Sequence, residues 1–440
     1  MTHRLPPFTA ILLAAVAAFA ATFFVLRSSG DHVAGGLPDV SSSTGSIALP
    51  SATTDQRIAI YQDLVRAHPE NIDASVQLAA AYLQKVRENG DASLYNKADG
   101  LLAGALRRKP DDVGALTERG ALELSRHDFA GGLRLAQRAH ALAPDVIKPY
   151  GVMVDGLVEL GRYGAADRAL QRYVNLQPTL SSYARVSYFR ELHGDLPGAI
   201  DAMQRAASAG GESAENVAYV QTLLGQLYFT SGRLGSAEHS FREAIARFGS
   251  YPAAEAGLAR VEAARGDLAG AAQRLRGVVA RLPLPEHIVA LGEVELAEGH
   301  VAAARHDLAL VGAEQRLLAA AGVNTDVDLA LFEAQHGSPA KAVRLGRSAW
   351  ALAPSVRSAD ALGWALTRSG RPAAGLAWAR RALRLGSRDP LFAFHAGIAA
   401  QQAGRFAEAR HWLGRSLALN PRFSPYYAPM AQRALKAVSS

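Results

Sequence analysis

The 440-residue chain contains no cysteine. That excludes disulfides, thiolate metal sites, a cysteine nucleophile and a cysteine-linked lipid anchor. Lysine is nearly as scarce: Lys85, Lys97, Lys109, Lys148, Lys341 and Lys436 are the six among 47 basic residues, leaving 41 arginines. Aromatic residues make up only 7% and charged residues 20%, against 49% hydrophobic, a balance too apolar for a disordered chain. Long apolar runs are missing with one exception, so the chain is not a multispanning membrane protein. Signatures of catalysis are missing too. There is no Gly-Lys dipeptide to carry a phosphate loop, no H-E-x-x-H and no G-x-S-x-G elbow. The sequence therefore predicts a non-enzyme.

The net charge of +7 is spread along the chain, and its longest basic runs are Arg107-Arg108-Lys109 and Arg380-Arg381. Each falls late in an expected helix, where cations suit the dipole, so no nucleic-acid partner is expected. His300 and His306 stand six apart, off one helical face. Asn324, Asp326 and Asp328 alternate like the start of a calcium loop, but Leu329-Ala330 replace its pivotal glycine and Gln335 its bidentate Glu. Helix capping by Asn324 or Thr325, with acids in the first turn, explains the run. No metal or cofactor is expected.

The one long apolar run, Phe8 to Leu26, is nineteen residues without a charge. At about 1.5 Å per residue it matches a hydrocarbon core. A signal anchor over residues 1–27 is the first reading. Cleavage after Ala18-Phe19-Ala20, giving a secreted protein, is the alternative, but it would leave Thr22 to Leu26 exposed. The short basic N-terminus favours an extracytoplasmic position for the remainder. Residues 28–54, rich in Gly, Ser and Pro, read as a flexible tether.

The rest of the chain repeats. A glycine followed by a polar or small residue, then an aromatic or leucine, then an alanine recurs at Gly161, Gly194, Gly232, Gly266, Gly299, Gly337, Gly370 and Gly404, in steps of 33, 38, 34, 33, 38, 33 and 34. His127 fills the same slot 34 residues before Gly161. Prolines at 110, 144, 178, 283, 354 and 421 close helical patterns. Between these marks apolar residues fall three and four apart, so each unit holds two helices. One such pair cannot bury both faces, so neighbours must stack. The two 38-residue steps mark insertions, one near 207–215 and one within 308–328. The second predicts a lengthened helix and a loop at Gly322-Val323-Asn324.

These units resemble tetratricopeptide repeats. The unit ending near Gly249 carries Leu224, Gly225, Tyr228, Gly232, Ala237, Phe241 and Ala244 at that family's spacings. Tyr150, Gly161, Tyr163, Ala166 and Pro178 match in an earlier unit, and Gly397, Gly404, Phe406, Ala409 and Pro421 in a late one. The likeness runs from about Asp73 to Pro421, about ten repeats. Arg119 and Glu123 depart from it at packed slots, Gly132 and Gly375 replace one consensus alanine, and Val278 and Ser416 another. The segments SSYARVSYFRELHGD and GVNTDVDLALFEAQHG are also similar to a bacterial group of such proteins of unassigned activity.

The resemblance implies an all-α solenoid, with a repeat domain over 55–440 wound as a right-handed superhelix. Residues 56–68 and 424–438 would cap it. The first helices would line a concave groove for peptide segments. Its slots carry over to Lys148, Asp155, Tyr188, Tyr219, Gln226, Phe229, Arg260, Glu293, Arg357, Asp360, Trp364 and Arg368. A Lys/Asn carboxylate clamp is absent from them. The function implied is a membrane-tethered adaptor for a protein or peptide partner. The alternative is a self-associating structural component of the envelope.

Overall fold

The computed structural model of the chain describes residues 52–210 and 213–439. The expected anchor over 1–27 and nearly all of the tether lie outside the described residues. Among the described residues no helix is long and apolar enough to cross a membrane.

The described residues form an all-α solenoid. A first helix, α1 (Thr54–Ala67), precedes ten helix pairs. These are α2 (Ile72–Asn89) with α3 (Ser93–Arg108), α4 (Val113–Ser125) with α5 (Phe129–Leu142), α6 (Pro149–Glu159) with α7 (Tyr163–Leu176), and α8 (Leu180–Leu192) with α9 (Leu196–Ala209). Next come α10 (Ala214–Thr230) with α11 (Leu234–Phe248), α12 (Pro252–Arg265) with α13 (Leu268–Arg281), and α14 (Pro285–Glu298) with α15 (Val301–Leu308). An unpaired helix, α16 (Val311–Ala320), intervenes. Then follow α17 (Asp326–His336) with α18 (Pro339–Leu352), α19 (Val356–Arg368) with α20 (Pro372–Ala382), α21 (Pro390–Gln402) with α22 (Phe406–Leu419), and a last helix, α23 (Tyr427–Ser439).

The recurring glycine sets the turn inside each pair. Gly161, Gly194, Gly232, Gly266, Gly299, Gly370 and Gly404 all have positive φ, and His127 takes the same conformation at φ 63°. Directly after this turn Asp128, Asp195 and Asp267 cap the second helix, accepting the N–H of Gly131, Gly198 and Gly270 at 2.8, 3.0 and 2.9 Å. Gly337 departs from the series with φ −130°. There Ser338 caps α18 instead.

The second helix of a pair buries one stripe. In α7 that stripe is Tyr163, Ala166, Leu170 and Tyr173, and the rest faces outward. Close approach depends on side-chain absence. A Cβ on Gly225 would lie 2.6 Å from the Phe241 ring, and one on Gly257 would strike the same ring. Phe241 is thus wedged between two successive first helices. The glycines that replace consensus alanine bring backbones together rather than distorting the unit: a Cβ on Gly132 would lie 2.8 Å from the Gly120 carbonyl, and one on Gly375 2.8 Å from that of Gly363. Arg119 and Glu123 satisfy each other by an ion pair at 2.8 Å, and Ser416 donates to the Pro390 carbonyl at 2.6 Å.

The solenoid closes on itself. The Arg126 Nε donates to the Ala321 carbonyl at 3.0 Å, 195 residues away. The Val356 N–H donates to the Tyr163 hydroxyl across 193 residues, and Asn420 Nδ2 to the Phe229 carbonyl across 191. One circuit therefore takes between five and six pairs, after which the chain lies against its own earlier turns.

The second insertion corrects the sequence expectation. It does not lengthen a helix. α15 stops at Leu308, and α16 starts a new direction at Val311. Leu318, Ala321 and Val323 then join the core formed by α2 and α3. The loop at Gly322-Val323-Asn324 is present, and the Asn324 N–H donates to the Arg126 carbonyl at 3.0 Å. The physical reason is the closed circuit: the inserted residues have an apolar surface within reach and fold onto it. Thr325 is the N-cap of α17 and makes no side-chain capping bond; Asn324, one residue before it, accepts the Asp326 N–H at 2.9 Å, with Asp326 and Asp328 in the first turn.

Candidate binding lumen

Of the groove slots expected from the sequence, Gln226, Arg260, Glu293 and Trp364 line one cavity. Tyr219 (2% exposed), Phe229, Trp364 (1%) and Asp360 are buried, as is Tyr188. Gln226, Glu293 and Arg368 are half-buried, and Arg260 is exposed. Lys148 pairs with Glu118 at 2.7 Å. Asp155 is buried in a two-point ion pair with Arg185, whose Nε and Nη2 donate at 2.8 and 2.6 Å.

Most of the buried candidates have neighbours that account for them, although the Tyr219 hydroxyl and the Trp364 indole N–H have no hydrogen-bond partner among the described residues. The Tyr188 hydroxyl donates to Glu159 at 2.9 Å. Trp364 stacks on His395 with centroids 4.3 Å apart, and His395 Nδ1 lies 2.9 Å from Asp360. Arg368 stands over the Trp364 ring at 5.5 Å, and Arg260 over Phe229 at 4.4 Å. The aromatic side chains thus form a wall with cations on its inner surface.

At one end a polar network fills the interior. Gln84 donates to Glu215 at 2.7 Å, Arg87 to Asn216 at 2.9 Å, and the Tyr251 hydroxyl to Glu215 at 2.9 Å. All five are buried. Beyond it lies a cavity of about 460 Å³, walled by α12, α14, α16 and α17, with Trp364, Leu391, His395 and Tyr427 contributed by α19, α21 and α23.

The cavity's charges are unevenly matched. Glu293 lies 3.3 Å from His336 Nε2. Asp328 lies 4.0 Å from Arg357. Burial pushes Glu286 up to about 8, with Asp328 adding to the rise and Arg357 opposing it, so its carboxyl is neutral at pH 7. Burial also pushes His287 down to about 4. Arg260 is lowered from its ordinary value by burial, against the charges of Asp389 and Glu293. Its guanidinium is enclosed by the circuit yet touched by solvent, because it stands in the cavity. Among the described residues no group of three or more His, Asp or Glu could hold a metal ion.

The sequence reading missed Glu286, His336, His395 and Tyr427. Glu286 and Tyr427 sit where a helix begins, outside the repeat's inner slots, and nothing in the helical period singles them out. His336 and His395 read as ordinary histidines until the circuit closes.

The architecture is that of a helix-pair repeat protein closed around a small lumen. Residues 222–284 match the family model described as tetratricopeptide repeat. No curated protein matches the chain. Among solved structures it is similar to a thermophilic tetratricopeptide repeat protein, TTC0263 of Thermus thermophilus, at 19% identity over 40% of this chain and 91% of that one, with a TM-score of 0.36. It is also similar to the Cut9–Hcn1 hetero-tetramer of the APC/C, at 14% identity over 88% and 93%, with a TM-score of 0.33. A third is the P58(IPK) repeat domain, at 16% identity over 87% and 94%, with a TM-score of 0.28. None of these likenesses bears on what this chain binds.

Proposed function

We propose that the protein is a non-catalytic interaction scaffold, held at a membrane by its N-terminal segment with the repeats on the extracytoplasmic side. The observation that carries the scaffold reading is the locked circuit. Contacts across 191 to 195 residues fix the inner wall, so its side chains stand at set spacings before any partner arrives and little ordering is lost on binding. The repeat family matched at 222–284 supports the same reading, since such repeats mediate protein–protein interactions. A partner segment would meet Gln226, Arg260, Glu293 and Arg368, the inner candidates not withdrawn into the wall. Tyr188, Tyr219, Phe229, Asp360 and Trp364 would hold that surface in shape.

The test is site-specific photocrosslinking in the source cells. A photoreactive residue replaces Gln226 or Arg368 on the inner wall, or Leu142 or Leu176, which are exposed on the outer helices. Adducts with one distinct protein from the inner positions are expected. Adducts from the outer positions alone would move the partner surface outside. Adducts of the protein with itself alone would make it a self-associating structural component.

A further inference from the structure

The cavity floor goes beyond the scaffold reading. Arg260 is a permanent cation with no ion pair or hydrogen bond among the described residues. Its one close partner is the Phe229 face. The two acids whose charges act on it are already engaged. Glu293 faces His336 at 3.3 Å and accepts the Tyr427 hydroxyl. Asp389 accepts the N–H groups of Leu391 and Phe392 at 2.7 and 3.4 Å. Three residues that line the cavity also carry a buried polar atom without a partner: Trp364 at its indole Nε1, Glu286 at Oε1 and His127 at Nε2. Trp364 is a donor only, and Glu286, neutral at pH 7, becomes one. Native interiors rarely leave such groups unmatched without a ligand or water.

We propose that this cavity binds a small amphipathic monocarboxylate, with its carboxylate on Arg260 and its hydrocarbon body against Ala253, Ala256, Val289, Phe332 and Leu391. A volume of about 460 Å³ falls within the ~300–1,000 Å³ of small-ligand sites, which combine apolar walls with a few placed polar groups. Guanidinium forks grip carboxylates at two points. A single negative charge matches Arg260, the one Arg or Lys of the lining among the described residues. A doubly charged head would be opposed by Glu293 and Asp389, which already act on Arg260.

The experiment is calorimetric titration of the full chain at pH 7 with decanoate, decanol and decyl phosphate. Decanoate is expected to bind at least tenfold more tightly than either of the others. Arg260→Gln should lose at least tenfold in decanoate affinity with its circular dichroism unchanged. Ala256→Phe, which fills the apolar part, should abolish binding of decanoate and decanol alike. The proposal is overturned if the wild type gives no decanoate heat, if decanol or decyl phosphate binds as tightly, or if Arg260→Gln binds decanoate as the wild type does. The purified protein is titrated without a protein partner, so failure here leaves the scaffold reading standing, and a failed photocrosslink leaves this one.

Discussion

The phenolic oxygen of Tyr163 accepts the backbone N–H of Val356 at 2.9 Å, across 193 residues of chain. Val356 opens α19, and the first N–H groups of a helix have no partner within it. A side chain from an earlier turn of the solenoid therefore caps a helix in a later one. The Arg384 guanidinium stands 5.5 Å over the same tyrosine ring, and Gly161 leaves no Cβ to strike the Pro354 carbonyl. Turn meets turn here through backbone groups and through an apolar cluster that Val356 shares with Tyr163, with Leu385 and Phe392 packed against it.

Tyr163→Phe keeps the ring and removes the acceptor, leaving a buried N–H unsatisfied. The expected cost is about 1–3 kcal/mol, read as a lowered urea midpoint. Amide exchange at Val356 should rise more than exchange in α7 itself. An unchanged midpoint and unchanged exchange would show that the two turns are held together by other contacts.

Phe241 fills the space between Gly225 and Gly257, and it is fully buried. Gly257→Ala should destabilise by about 1–3 kcal/mol through overpacking, despite the better helix propensity of alanine. Phe241→Leu added to Gly257→Ala should recover part of that loss, because the two residues share one contact. Thermal denaturation of the single and double variants checks this, and strict additivity would sink the wedge.

The repeat was legible because it depends on local rules. The glycine at 161, 194, 232, 266, 299, 370 and 404 marks a left-handed turn in each case, and its recurrence gives the phase of the helix pairs. His127 was readable in the same slot by spacing alone. Gly337 shows the limit, since its spacing fits while its φ of −130° does not. What spacing could not show was closure. Whether residue 126 meets residue 321 depends on small rotations summed over many pairs and on the extra residues after Leu308. Tyr219 and Trp364 are buried in apolar clusters built by neighbouring helix pairs, and the helical period alone gave no signal of that. Arg260 stands over the Phe229 ring at 4.4 Å, a contact that comes from packing between α10 and α12.

Glu286 supplies a pH signature. Its folded value of about 8 exceeds the ordinary 4.5, so the folded state holds this proton more tightly than the unfolded one. The stabilisation is complete below about pH 4.5 and is lost as pH rises towards 8. Glu191 and Glu314, both pushed up to about 7 by burial, act in the same direction. His287, pushed down to about 4, acts oppositely, but only below its ordinary 6.5. The urea midpoint should therefore fall between pH 6.5 and 8.5. Glu286→Gln, neutral at every pH, should flatten part of that slope. A wild-type midpoint that is level or rising across the window would contradict the assignment.

Arg126 decides whether α16 stays in place. Its Nε donates to the carbonyl of Ala321, the residue that ends α16, at 3.0 Å. Its other nitrogens are held by Asp99 at 2.8 Å and Asn96 at 2.9 Å, so the guanidinium bridges α3 to the inserted helix. α16 has only Val311 and Leu318 buried along its length, little apolar surface for a helix of ten residues. Losing this bridge should lower its local opening free energy by about 1–3 kcal/mol. Arg126→Ala is expected to raise amide exchange across residues 311–323 while leaving the Tyr163–Val356 contact protected. Arg126→Lys, which keeps the charge near Asp99 but not the fork, should fall between. Unchanged exchange over 311–323 in Arg126→Ala would mean that the apolar contacts of Leu318, Ala321 and Val323 with α2 and α3 hold the insertion unaided.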